Sequence, residues 1–371
     1  MQYIFSALVV LHGAIHLMGF LKAFKLSEIE QLKIAISKFS GILWLFCFLL
    51  FLIAGVSYLL KINFWHILAF AGVLLSSVLI FSAWNDAKFG MIPNIIILLV
   101  AIVAFASSSF QSKYARDVRA GLADTQSVTE SLLTDSDIAD LPEPVQKYIR
   151  YTGFVGKPKV NSFRIGFTGS IRKNEKSGWM PFSTGQYNFQ ESSTRLFFMK
   201  AVMMHMPVAG YHCFNNGKAF MDIRLFSLIK VQYQAGKEMD ISETVTFFND
   251  MCCMAPGTLT DKRIKWLESD SSRVKAAFTN NDITITANLF FNEKGELINF
   301  ISEDRYAAGE GNGMQRIPWS TPLKDYKDIG GYRLAGNAEA IYSYPEGDLI
   351  YGTFNLTDVE YNPTSFTTKK N

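Results

Sequence analysis

The sequence predicts four transmembrane helices followed by a mainly-β domain, a curved antiparallel sheet (half-barrel or barrel) with one inserted helix. Three observations predict it. Four uncharged runs of bilayer-spanning length crowd the first 112 residues. Period-two alternation broken by turn residues dominates from residue 158 onward. The charge is split: residues 1–110 hold six lysines against Glu28, Glu30 and Asp86, a balance of +3 that equals the formal charge of the whole chain.

The uncharged runs are Met1–Leu21, Phe39–Leu60, Ile62–Trp84 and Phe89–Ser112. A helix of about 20 residues crosses the hydrocarbon core, and in lipid the backbone must satisfy its own hydrogen bonds, so each run is expected as a helix. The first run has no basic lead-in and no small-residue cleavage pattern, and reads as a span rather than a removable signal. Between the first two, residues 22–39 place Leu26, Ile29, Leu32, Ile36 and Phe39 at helical spacing, with Ser27 and Glu30 as a capping box. An amphipathic helix lying in the membrane interface is expected there. Asp86 and Lys88 read as anchors of a helix hairpin at the headgroups. Lys22, Lys25, Lys33, Lys38 and Lys88 fall on one side, against Lys61, Lys113, Arg116 and Arg119. The cluster after the first span sets that side as cytoplasmic, which puts the C-terminal domain outside the cytoplasmic membrane.

The domains are thus expected as 1–112 in the membrane, 113–140 as a linker and 141–371 as the β domain. Within the last, Pro144 suits a first helical turn, Val145, Tyr148 and Ile149 share a face, and Gly153 supplies a stop. About ten strands fit between residues 158 and 362, with turns at Asn215-Asn216-Gly217, Asn280-Asn281-Asp282 and Gly330-Gly331. One helix interrupts them, opened by an Asp240/Glu243 capping box and closed by Pro256-Gly257, with Ile241, Val245, Phe248 and Cys252 on one face. One helix cannot cover so many strands, so the sheet is expected to curl around an apolar interior.

Several long segments carry a resemblance. LPEPVQKYIRYTGFVGKP (141–158), WMPFSTGQYNF (179–189), Pro318-Trp319, DYKDIGGYRLAGNAEAIYSYPEGD (325–348), WNDAKFGMIPN (84–94) and LHGAIHLMGF (11–20) resemble an uncharacterised bacterial membrane-protein family, a domain of unknown function. The β half is also loosely similar to the bacterial lipoprotein-localisation-factor (LolA/LolB-like) fold. That likeness implies a curved sheet and a helical lid holding acyl chains; fold alone does not imply function.

For chemistry the sequence offers little. A charge-neutral remainder without basic runs excludes a nucleic-acid partner. No nucleophile elbow, metalloprotease motif, P-loop or dinucleotide fingerprint is present, so no catalytic residue is assigned and a non-enzymatic role is favoured. His12 and His16, four apart in the first span, would suit a metal or haem site with His66, or plain hydrogen bonds between packed helices; the second reading is preferred. His205, His212, Cys213, Cys252 and Cys253 lack paired chelating spacing, so no metal and no cofactor are expected. An exported domain would permit a bridge from Cys213 to Cys252 or Cys253. Asp222, Glu303, Asp304, Asp325 and Asp328 read as a solvated face or cross-strand pairs.

The strongest local signal is methionine, with eight of thirteen between Met199 and Met254. LFFMKAVMMHM (196–206) is apolar on both faces, as a central strand buried on both sides or a pocket for a flexible hydrophobic ligand would be. Phe198, Met199, Met203, Met204, Phe247, Phe248 and Met251 are the expected ligand-binding residues. The expectation is a multi-pass protein of the cytoplasmic membrane, binding a lipid or similar molecule beside the bilayer. The alternative is an assembly protein that binds another envelope protein.

Overall fold

The computed structural model describes residues 2–125, 131–308 and 313–367. The chain divides into two units, Met1–Phe110 and Gln111–Asn371.

In the first unit the apolar runs form α1 (Gln2–Ile15), α2 (Leu17–Ala23), α3 (Lys38–Leu59), α4 (Trp65–Ser82), the short α5 (Trp84–Ala87) and the start of α6 (Met91–Thr125). Four stretches are long and apolar enough to cross a membrane: Gln2–Ala23, Lys38–Leu59, Trp65–Ser82 and Trp84–Thr125. Small residues let the helices close up. A Cβ on Gly19 would lie 2.2 Å from the Trp44 ring, so the α2–α3 contact requires glycine there. The histidines of the first unit make hydrogen bonds within the helix bundle: His12 Nε2 donates to Asn94 Oδ1 at 2.8 Å, and His16 Nδ1 donates to the His12 carbonyl at 3.0 Å. Ser76 Oγ then donates to His16 Nε2 at 2.9 Å. His66 lies among Trp65, Phe70 and Phe105.

The interfacial helix expected over residues 22–39 does not form. Helix ends at Ala23 and resumes at Lys38, with Ser37 rather than Ser27 as the cap, its hydroxyl accepting from the Ser40 amide at 3.1 Å. The physical reason is Asp86. Its carboxylate accepts the amides of Lys33 (2.6 Å) and Ile34 (3.1 Å), a pull on the backbone that competes with helical bonding.

The second unit begins with the end of α6. Residues 113–125, expected in the linker, continue that helix. Tyr114, Val118 and Leu122, spaced by four, are buried with Ala115 against the outer face of the sheet. Tyr114 donates to the Gly185 carbonyl at 2.9 Å and stacks on Phe198, and Tyr211 donates to Asp117 at 2.7 Å. A periodic apolar stripe inside a polar stretch explains the difference. From the same expected linker, Leu133 exchanges backbone bonds with Gly156 and Lys157, and α7 (Asp135–Ile138) follows. Then α8 (Glu143–Tyr151) buries Val145, Tyr148 and Ile149 and stops at Gly153, whose φ of +78° favours glycine.

Six strands come next: β1 (Ser162–Ile171), β2 (Met180–Phe189), β3 (Thr194–Met203), β4 (Met206–Asn215), β5 (Lys218–Leu225) and β6 (Ile229–Ala235). Helix α9 (Lys237–Met254) and a 3₁₀ turn (Pro256–Thr260) lead to β7 (Ile264–Ser269), β8 (Arg273–Asn280), β9 (Ile283–Phe291) and β10 (Leu297–Ser302). The chain continues as β11 (Tyr306–Ala308), β12 (Met314–Arg316), β13 (Trp319–Ser320), β14 (Leu323–Ile329), β15 (Tyr332–Tyr344) and β16 (Gly347–Tyr361). Fourteen of these make one antiparallel sheet in the order β6-β5-β4-β3-β2-β1-β16-β15-β13-β10-β9-β8-β7, with β14 on β15. The expected count of ten fell short partly because two tight turns carry no turn signal. Met204-His205 and Phe226-Ser227 all hold positive φ, in positions where asparagine and glycine are the usual residues.

The sheet curls into a half-barrel, helped by bulges at Gly166/Phe167 and Ala340/Ile341. Its edges, β6 and β7, are the strands that flank α9 in sequence. The helix therefore crosses the concave face, and fifteen of its eighteen residues are buried. The expected capping box does not open it. Gly236 precedes the first turn, while Asp240 accepts from the Ala219 amide at 2.7 Å and Glu243 pairs with Arg195 at 3.1 Å. Both acids are held by the sheet, and tertiary bonds displaced the local ones.

Candidate functional site

Helix α9 has two unlike faces. Val245, Phe247, Phe248, Met251 and Cys252 pack against the sheet as solid core, where Phe248 stacks on Phe278 (centroids 5.2 Å apart) and meets Phe300. The other face carries Met239, Ser242, Glu243, Thr246, Asn249, Asp250 and Cys253 and looks into a cavity of about 390 Å³ between helix and sheet. Inward-pointing residues of the strands make the rest of the wall. Phe167, Phe182, Phe197, Met199, Met221, Ile223 and Phe354 are apolar, and Arg172 and the exposed Lys173 stand where the cavity reaches the surface.

One side of this cavity is charged. Arg195 Nε donates to Asp250 at 2.7 Å, its Nη1 to Glu243 at 3.1 Å and its Nη2 to Gln186 at 3.1 Å. Gln186 and Asn188 also donate to Asp250, at 2.6 and 3.1 Å. Burial pushes the Glu243 carboxyl up, but Arg195, Arg305 and His212 outweigh it and hold the group below its ordinary value. Arg305 donates to the Tyr342 hydroxyl and the Ser242 carbonyl (both 3.0 Å) and to the Thr246 hydroxyl, with its guanidinium over the Trp319 ring. Burial opposes its charge, yet Tyr342, Tyr351 and Glu243 raise its pKa further. Trp319 in turn donates to the Tyr351 hydroxyl at 3.0 Å.

His212 sits on the same wall against Phe197, and burial lowers its pKa to about 4 despite the pull of Glu243. The unfolded chain takes up that proton near 6.5, so between the two values the unfolded state binds more protons and stability falls as the solution is acidified. Glu243 acts in the same direction, because its contribution is lost as pH falls through its depressed folded value. Melting temperature is expected to drop between pH 7 and pH 5, and the drop should be smaller in His212→Gln. Equal drops in the two proteins would refute the assignment.

Of the residues expected at a pocket, Met199 lines the cavity. Phe198 points to the other face of β3, onto Tyr114. Met203 and Met204 sit at the β3–β4 turn, Met204 77% exposed, and Phe247, Phe248 and Met251 lie in the core. The structure thus brings these seven to four places. In β3 burial holds Phe197, Phe198 and Met199, while the remaining methionines of the signal are spread over the β3–β4 turn, β4, β5 and α9. The residues that sequence reasoning missed are Arg195, Glu243, Asp250, Arg305 and His212. A signal was present: Glu243 and Asp250 are seven apart, two helical turns, and so share one face of the helix. The four cysteines are free, and among the described residues no cluster of three metal-ligating side chains occurs. Asp222 pairs with Arg224 at 2.7 Å, and Asp304 accepts the Thr286 amide at 2.8 Å.

Comparison with known proteins gives three findings. No curated protein matches the chain. Two solved structures are similar to it: a LolA superfamily protein from Nitrosomonas europaea, at 7% identity and TM-score 0.34 over 59% of this chain and 91% of that one, and a DUF1329 family protein from Desulfovibrio piger, at 8% identity and TM-score 0.35 over 62% and 94%. Residues 131–354 match a family of unknown function, DUF6544, across α7, α8 and nearly the whole sheet. The half-barrel, its crossing helix and the charged cavity wall all lie within that match, and the chain belongs to the DUF6544 family.

Proposed function

We propose that the β unit binds a lipid or similar hydrophobic molecule in its half-barrel without chemical turnover, while the four apolar helices hold the chain in the cytoplasmic membrane with that unit outside. The observation that carries this reading is the cavity of about 390 Å³, walled by Phe167, Phe182, Met199, Met221 and Phe354. Its volume falls in the ~300–1,000 Å³ range of small-molecule sites. Apolar wall gains free energy by taking an apolar occupant, at roughly 25 cal/mol per Å² removed from water. Anchoring in a bilayer raises the effective concentration of a membrane-derived ligand.

Native mass spectrometry of the full-length protein released from membranes tests this. A lipid-sized adduct is expected on the wild type and should be weakened in Met199→Trp, whose larger indole narrows the cavity. The same adduct pattern in both proteins would end the proposal.

A second reading, assembly with another envelope protein, draws on β6. This edge strand exposes Ile229, Val231 and Tyr233, an apolar row beside unpaired backbone of the kind that accepts a further strand.

A further inference from the structure

We propose that the ligand of this cavity is an amphiphile whose head carries an anionic oxygen group, a carboxylate or a phosphate, received by Arg305. The inference rests on the cavity reading above and adds the chemistry of the head.

On the charged wall Arg195 and Arg305 stand against Glu243 and Asp250, while Arg172, Lys173 and Glu339 lie elsewhere in the lining. The bonds on that wall are not shared evenly. Both carboxylates are spent on Arg195, which takes Asp250 and Glu243 at once, while Gln186 and Asn188 fill out Asp250. Arg305 has only neutral acceptors: the Tyr342 and Thr246 hydroxyls and the Ser242 carbonyl. Arg305 belongs to the cavity lining, and among the described residues it forms no ion pair, its hydrogen bonds running from Nε and Nη1. Glu243 acts on it only through space, so a half-buried cation whose hydrogen bonds all go to neutral groups still has room for a directly bonded anion.

The site around Arg305 is also set in place. The Trp319 ring lies beneath the guanidinium, with its centroid 4.6 Å from the central carbon, and the three acceptors fix the remaining edge. Tyr351 accepts from Trp319, which leaves its own hydroxyl proton available to the same head. A planar fork held this way suits a carboxylate or phosphate oxygen better than a neutral carbonyl, because the charge-assisted bond is about twice as strong. Met199, Met221, Ile223 and Phe354 then offer the apolar wall for a tail. Head and tail requirements meet in one cavity, and together they describe an anionic amphiphile.

The test uses the full-length chain exchanged into amphipol and titrated with cis-parinaric acid, read by its fluorescence, and separately with the methyl ester. The acid is expected to bind the wild type at least about tenfold tighter than the ester. Arg305→Gln should lose that advantage and keep ester binding, and Arg305→Lys should recover part of it. Lysophosphatidate should displace the acid, whereas inorganic phosphate at the same concentration should not. Equal affinity of acid and ester for the wild type overturns the inference, and this comparison needs no variant to fold. Displacement by phosphate alone would name a free anion as occupant and also overturn it. If neither acid nor ester binds, the cavity reading itself has failed, a result distinct from the first two.

Discussion

Arg195→Ala is expected to destabilise the β unit by about 3–5 kcal/mol, the usual cost of removing one partner from a buried ion pair. The residue is buried, and so are both of its carboxylates, with Glu243 only 1% exposed. Removing the guanidinium strands two anions between α9 and the sheet, where water reaches them only through the cavity. In a unit of this size that loss lowers the melting temperature by about 10 °C. The diagnostic comparison is the triple variant Arg195→Met, Glu243→Gln, Asp250→Asn, which deletes all three charges. It should recover most of the loss, since the penalty comes from unpaired charge more than from the missing pair. Thermal unfolding of the full chain followed by circular dichroism decides it. A triple variant no better than Arg195→Ala would mean that the charges do not act as one network.

Phe248→Ala is expected to be comparably severe, at about 3–5 kcal/mol. The ring is fully buried, stacked parallel on Phe278 (interplanar angle 4°) and set edge-on to Phe300. Its removal leaves a void where α9 seats on β8 and β10, and close-packed neighbours relax only partly into it. Met199→Ala should cost less, because one side of Met199 already faces open cavity and has no atoms to lose contact with. The contrast separates core from ligand wall by unfolding measurements alone. Comparable losses at both positions would argue that the hollow beside Met199 is filled in solution.

Much of the architecture was readable in order along the chain. Uncharged runs became the four long apolar helices, because a run of about 20 apolar residues is legible by its length, and alternation became strands, because burial on one sheet face imposes a period of two. The membrane-family resemblance and the curled sheet with its single inserted helix were borne out by the family match and by the fold. Local signals failed where distant groups intervened. The capping box read at Ser27 and Glu30 lost to Asp86, which draws on the amides of Lys33 and Ile34. The one read at Asp240 and Glu243 lost to strands β5 and β3, which claim both acids through Ala219 and Arg195. The expected linker lost its first part to a stripe of Tyr114, Val118 and Leu122 that finds a sheet to cover.

The candidate site shows the limit most clearly. From sequence, Phe248 and Met199 are alike, both apolar and both close to methionine-rich stretches, and only packing separates them into core and cavity wall. The apolar face of α9 was legible through its spacing. That the opposite, polar face looks into a hollow depends on the open sheet, whose edge strands β6 and β7 flank the helix that crosses its concave face. Periodicity along the chain therefore determined which segments are helix or strand and which faces are greasy. What meets Arg195, and what leaves Arg305 bonded only to neutral groups, was decided by strands far apart in sequence brought within bonding distance, which no local pattern encodes.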